Sequence, residues 1–281
     1  MSEDEKTTRA RRGLAIYGAA VSVLSSIFWI WLWRAGKPIE DEPLLVVGLM
    51  WSPALASLLA RLVQRERFGD ISFRLGGRRG LWALVIGWLY PIAVATIAYG
   101  AAWQLRLAQF SPPAVGHLAA RPIAHFFSHL SITLSLVTVV GLFTVAGEEI
   151  GWRGYMLTRL VDAKLPYPIL LSGIIWGAWH VPLLVTGQYV VVASSPLLST
   201  ALFLVAIVIA GYFVGYFRLY SGSVWPAIVF HATWNAVIQN GFDWATPRTI
   251  WTGEAGLLVS LTALLSTIVI LGVHRRQVEL L

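Results

Sequence analysis

Residues 130–160 read LSITLSLVTVVGLFTVAGEEIGWRGYMLTRL, and this stretch decides the fold class. Its first eighteen residues, Leu130 to Gly147, carry no charge. About 20 apolar residues rising 1.5 Å each cross the hydrocarbon core of a bilayer, so the run reads as a membrane-spanning helix. The second half then places Glu148, Glu149 and Arg153 on the same helix. An ionisable side chain at the centre of a span costs roughly 2.5–3.5 kcal/mol, which makes each one a functional hypothesis by default.

Seven further apolar runs lie on either side, at Leu14–Trp33, Leu44–Leu62, Leu81–Trp103, Tyr167–Leu184, Leu197–Phe217, Val224–Gln239 and Leu257–His274. The expected architecture is therefore all-α, a polytopic membrane helical bundle of about eight transmembrane helices. Residues 1–12 form a polar, cytoplasmic N-terminus. Residues 13–281 form a single transmembrane domain, with the chemically informative motifs confined to 147–235. No small-residue cleavage site follows the first span, so that span is expected to be retained as a helix.

Composition points the same way. Hydrophobic residues make up 57% of the chain and charged residues 12%, about half the charged share of globular domains. Many of the 14 tryptophans flank apolar runs, as in the aromatic belts of membrane proteins. The absence of cysteine excludes disulfides, thiolate metal sites and a cysteine nucleophile. The net charge of +7 comes without a basic stripe interleaved with aromatics, so nucleic acid is not an expected partner.

The basic residues instead report topology. With the N-terminus in the cytoplasm, sixteen of the 21 Lys and Arg fall on the cytoplasmic side and five (Arg34, Lys37, Arg106, Arg121 and Arg248) on the other. The positive-inside rule then puts both termini of a multi-pass cell-membrane protein in the cytoplasm. The connection from Arg61 to Arg79 reads as an anchor to anionic lipid.

Three spans carry polar groups that do not belong in lipid: Glu148, Glu149 and Arg153 in the fourth, His180 in the fifth, His231 and Asn235 in the seventh. Glu149 and Arg153 are four apart, with the acid first, the favourable order for a pair. Glu148 points about 100° away from Glu149 and is free for another task. His231 and Asn235 share a helix face. Gly147, Gly151 and Gly154 form a small-residue ridge that admits another helix closely, and Pro182 should loosen the helix around His180. Counted at 1.5 Å per residue from the cytoplasmic ends, Glu148, His180, His231 and Asn235 sit about 11–20 Å deep, an overlap expected to be reached from the cytoplasmic side. His125 and His129 read as interfacial residues, His117 and His274 as loop and helix-end residues.

A carboxylate beside an imidazole can take a proton from water. A carboxylate removed from water holds its own proton more tightly, toward the range where a general base works near neutral pH. A second histidine and an amide can donate to a developing oxyanion. Such a set suits hydrolysis without a serine or cysteine nucleophile.

In order and spacing these residues resemble the CPBP family of intramembrane proteases, which includes the CAAX prenyl endopeptidases and bacteriocin-processing or self-immunity proteins. The family's Glu-Glu-x-x-x-Arg motif is matched by Glu148, Glu149 and Arg153, and its His-x-x-x-Asn motif by His231 and Asn235. Its Phe-x-x-x-His motif is matched by Trp176 and His180, with tryptophan in place of phenylalanine. That departure keeps an aromatic and is expected to alter pocket shape more than chemistry. The resemblance implies that Glu148 and His180 activate water, that His231 and Asn235 form the oxyanion site, and that Glu149 and Arg153 hold the carboxylates in place. It implies a membrane-associated peptide or protein substrate and no required cofactor; were zinc present, Glu148, His180 and His231 would be its ligands. Two other readings compete, a non-catalytic scaffold or bacteriocin-immunity protein and a proton-coupled transporter. The lack of repeat symmetry speaks against the transporter.

Overall fold

A computed structural model describes residues 2–116, 120–189 and 195–279, the last six of these without side chains. Eight long helices follow one another: α1 Glu3–Ala35, α2 Pro43–Gln64, α3 Gly77–Gln104, α4 Pro122–Asp162, α5 Pro168–Val185, α6 Pro196–Ser221, α7 Trp225–Trp234 and α8 Leu257–Glu279. No strand occurs among the described residues. Helices α1 to α6 are long and apolar enough to cross a membrane. The span count is six by that measure rather than eight, because the apolar part of α8, Leu257–Val273, is shorter and α7 has ten α-helical residues before it changes geometry.

The ends of the helices follow from local chemistry. Proline occupies the first turn of α2, α4, α5, α6 and α7, where its missing N–H costs nothing. Ser2 caps α1 in a reciprocal capping box with Glu5. The polar first residues thus form the opening turns of α1. At about 50 Å, α1 outruns the hydrocarbon core, and its protruding start docks through Arg9, which donates to the Gln64 carbonyl at 2.5 Å.

Two helices contain π-turns, three in all. In α4 these are Thr133–Val137 and Trp152–Met156, and α7 continues as Asn235–Phe242. Single π-turns of this kind gather at functional sites, and two of the three here adjoin the motifs. Helix α5 runs through Pro182 to Val185 without a break.

The bundle is apolar outside as well as inside. Val23, Phe143 and Val269, on three different helices, are each more than 60% exposed, as lipid-facing residues of a multi-pass protein are. The ionisable groups are drawn inward. The glycine ridge of α4 meets α2: a Cβ on Gly147 would lie 2.6 Å from the Met50 carbonyl oxygen, and one on Gly151 2.5 Å from the Pro53 carbonyl carbon. Only glycine permits this backbone-on-backbone approach, which presses the Glu148–Glu149 turn against α2.

Candidate active site

Glu149 and Arg153 face each other across one turn of α4, both fully buried, with Arg153 Nη1 donating to Glu149 Oε1 at 3.0 Å. His231 Nδ1, on α7, bonds the same oxygen at 2.8 Å. The Arg153 guanidinium also lies 4.1 Å from the ring centroid of Trp176 on α5. Glu149 therefore ties three helices together, with an ion pair that offsets the desolvation of both charges.

Glu148 turns the other way, as helical spacing expects. Its Oε2 accepts from Trp176 Nε1 at 2.7 Å. One turn further along α5, His180 Nδ1 bonds the Trp176 carbonyl oxygen at 2.9 Å. A carbonyl only accepts, so Nδ1 carries the hydrogen and Nε2 of the neutral ring is left as an acceptor. At His231, Nδ1 is again the donor, here to a carboxylate. The carboxylate that already receives Arg153 accepts from Nδ1, so Nε2 is the outward-facing nitrogen.

Glu148, His180, His231 and Asn235 line one cavity of about 100 Å³ together with Trp176. Its remaining wall includes Ile39, Val46, Met50, Tyr189 and Glu254. Ile39, Tyr189 and Glu254 belong to the connections α1–α2, α5–α6 and α7–α8, at the end of the bundle opposite the N-terminus. Toward the N-terminal end the space is filled by Tyr17, Trp152, Tyr155 and Met156, none more than 2% exposed. The cluster is therefore not reached from the N-terminal side, as helix depths alone suggested. Depth fixes how far in a residue lies, but not which end the bulky side chains block.

With these groups assembled, comparison with known proteins becomes informative. Residues 130–237 match the family model described as type II CAAX prenyl endopeptidase, Rce1-like. This part of the chain is similar to the CAAX protease family. The Rce1-like segment begins in α4 and ends in the π-turn of α7, so it holds all three motifs and every residue named above from Glu148 to Asn235. The activity of the family is that of an intramembrane CAAX-type endopeptidase, a hydrolase acting within the bilayer. No curated protein and no solved structure matches the chain.

Around the Rce1-like segment the structure adds residues that the motifs do not contain. Glu254, in the α7–α8 connection, accepts from Tyr189 Oη at 2.8 Å, from Gln239 Nε2 at 2.8 Å and from Trp234 Nε1 at 3.0 Å. Gln239 Nε2 also lies 3.4 Å from Asn235 Oδ1. The Asn235 amide oxygen is thereby turned toward a donor, which leaves its NH₂ to donate elsewhere. Gln239 had a signal in the sequence, since His231, Asn235 and Gln239 form a polar stripe at every fourth residue of an apolar run. Glu254 had none, being a lone acid in a connection.

Two expectations change. Trp176 does more than fill the place of a phenylalanine, because its indole N–H holds Glu148, which a phenyl ring cannot do. Arg61 is fully buried and forms an ion pair with Asp70 at 2.5 Å, so it is a structural residue and not part of a lipid-facing anchor. Arg65, Arg67, Arg74, Arg78 and Arg79 of that connection are exposed. Among the described residues, no three His, Asp or Glu side chains converge as metal ligands. Glu148, His180 and His231 share a cavity but, as they lie, do not fit a zinc cage. His129 stacks on Trp244 with centroids 3.9 Å apart and bonds the Asn240 carbonyl, an aromatic contact near the end of α4. His117 and the side chain of His274 lie outside the described residues.

Proposed function

We propose that the chain hydrolyses a peptide bond in a membrane-associated substrate, a prenylated protein or a precursor peptide, using water activated by Glu148 and His180. Glu148 Oε1 and His180 Nε2 are the acceptors that remain once Trp176 has engaged the other atoms of these groups. A water donating to both directs a lone pair at the scissile carbonyl carbon. As the C–O bond forms, one water proton passes to this acceptor pair. The carbonyl electrons move to oxygen, where His231 Nε2–H, in its imidazolium form beside Glu149, and the Asn235 NH₂ stabilise the oxyanion. Collapse breaks the C–N bond, and the held proton goes to the leaving amine. Glu149 and Arg153 act as positioning residues. Every step uses side chains of this chain.

The observation that carries this reading is the convergence of four motif residues from three helices on one cavity. The test compares new N-termini of membrane proteins in cells carrying the wild type and Glu148→Gln at equal abundance. A defined set of cleavage products should vanish in the variant. Matching profiles, under conditions where loss of the whole protein has an effect, would favour the scaffold reading instead.

A further inference from the structure

Two observations, made independently, bear on how a substrate reaches this cavity. The first is steric. The cavity walls continue from Glu148 to Ile39 and Tyr189 on the connections opposite the N-terminus, while Tyr17, Trp152 and Tyr155 fill the other direction. Behind that plug Arg159 bonds Glu66 at 2.8 Å and Asp70 at 2.6 Å, in a separate surface cleft of about 390 Å³ whose lining includes none of Glu148, His180, His231 and Asn235. The second is electrostatic. Leaving out Arg153 in the buried cluster, thirteen of the Lys and Arg with described side chains lie toward the N-terminal face and five toward the other, the arrangement that places the N-terminal face in the cytoplasm.

Together these lead us to infer that the site takes its substrate from the non-cytoplasmic side, as a translocated or spanning segment, and that the basic face is its closed cytoplasmic back. The inference rests on the peptidase reading and narrows its substrate class. A cytosolic chain carrying a C-terminal lipid would meet the sealed face. The cavity also limits what fits beside the scissile bond. At about 100 Å³ it is smaller than an engineered pocket of about 150 Å³ that holds benzene, and its apolar wall of Val46, Leu49, Met50 and Leu183 suits a small aliphatic side chain, not an isoprenoid.

The chain contains no cysteine, so single-cysteine variants report accessibility without background. Val46→Cys and Ile39→Cys probe the cavity wall, and Thr8→Cys probes the N-terminal face, where Thr8 is exposed. Each is treated with a membrane-impermeant maleimide in right-side-out and in inverted membrane vesicles. Both cavity cysteines should be labelled in right-side-out vesicles and not in inverted ones, with the reverse for Thr8→Cys. Two cavity variants guard against the misfolding of either. Labelling of the cavity cysteines from the inverted side, or of Thr8→Cys from the same side as the cavity, overturns the inference. The cleavage products lost in Glu148→Gln should carry new N-termini in non-cytoplasmic segments, next to small apolar residues; cytoplasmic cut sites overturn the substrate assignment. The labelling needs no catalysis, so if no product is lost the peptidase reading and its substrate class fail while the side of access is still decided.

Discussion

Glu148 and Glu149 are neighbours in sequence with opposite tasks, and their variants should separate accordingly. Glu149→Gln removes the full negative charge paired with the buried Arg153, a change worth about 3–5 kcal/mol against a total stability of about 5–15 kcal/mol. That variant should fail to accumulate in membranes, as read by immunoblot. Glu148→Gln leaves an amide oxygen for Trp176 to donate to, and should accumulate as the wild type does. Trp176→Phe keeps the ring and removes one hydrogen bond to a carboxylate, about 1.5–3 kcal/mol, or roughly 10- to 100-fold in kcat/KM. Peptide cleavage by purified protein checks this, and an unchanged rate would mean that the indole N–H has no part in holding Glu148. The acids and histidines were legible in the sequence because charge stands out in an apolar run. The role of Trp176 was not, since a residue pattern records an aromatic but not where its N–H points.

At the scale of elements, seven of the eight apolar runs lie on helices α1 to α6 and α8, although α1 begins eleven residues and α4 eight residues before its run; hydropathy and the prolines that open helices are local signals. The π-turns were not legible, since they arise from how neighbouring helices pack and not from any residue type. The glycine ridge was legible as a surface for close approach, although its partner, α2, was not. Gly151→Ala should be destabilising by about 1–3 kcal/mol, since its Cβ would meet Pro53 atoms at 2.3–2.6 Å, backbone among them. Gly154→Ala, whose nearest neighbour is the Ile71 Cγ2 at 3.3 Å, should cost less. Thermal unfolding in detergent measures both, and equal losses would show that the seam tolerates a methyl.

For the whole molecule, composition sufficed to place the chain in a bilayer, but the end from which its cavity opens depends on long-range packing that no single stretch encodes. The opposite end of the bundle is fastened partly by Asp243, which accepts from Tyr99 of α3 and from Arg248 Nε at 2.8 Å, while Arg248 also reaches Glu40 at 3.2 Å. Burial is the largest influence on Asp243 and raises its pKa from 3.8 to about 6, with Tyr99 and Arg248 pulling down and Glu254 pushing up. The folded protein therefore binds this proton more tightly than the unfolded chain does. The contribution of Asp243 to stability is full below pH 4 and declines as pH rises to about 6, with no further change above. Melting temperatures of wild type and Asp243→Asn between pH 4 and 7 should differ in slope over that window; parallel curves would reject the assignment.

The seam between α2 and α4 has a mechanical consequence. Because the backbone of α4 approaches that of α2 so closely there, the wall bearing Met50 and the wall bearing Glu148 form a single jaw with little room to yield. A peptide that enters must displace the opposing jaw, made of the Asn235–Gln239 π-turn and the Glu254 clasp. The protein thus holds Glu148, the proton carrier of the proposed mechanism, still and gives the travel to the side that bears Asn235.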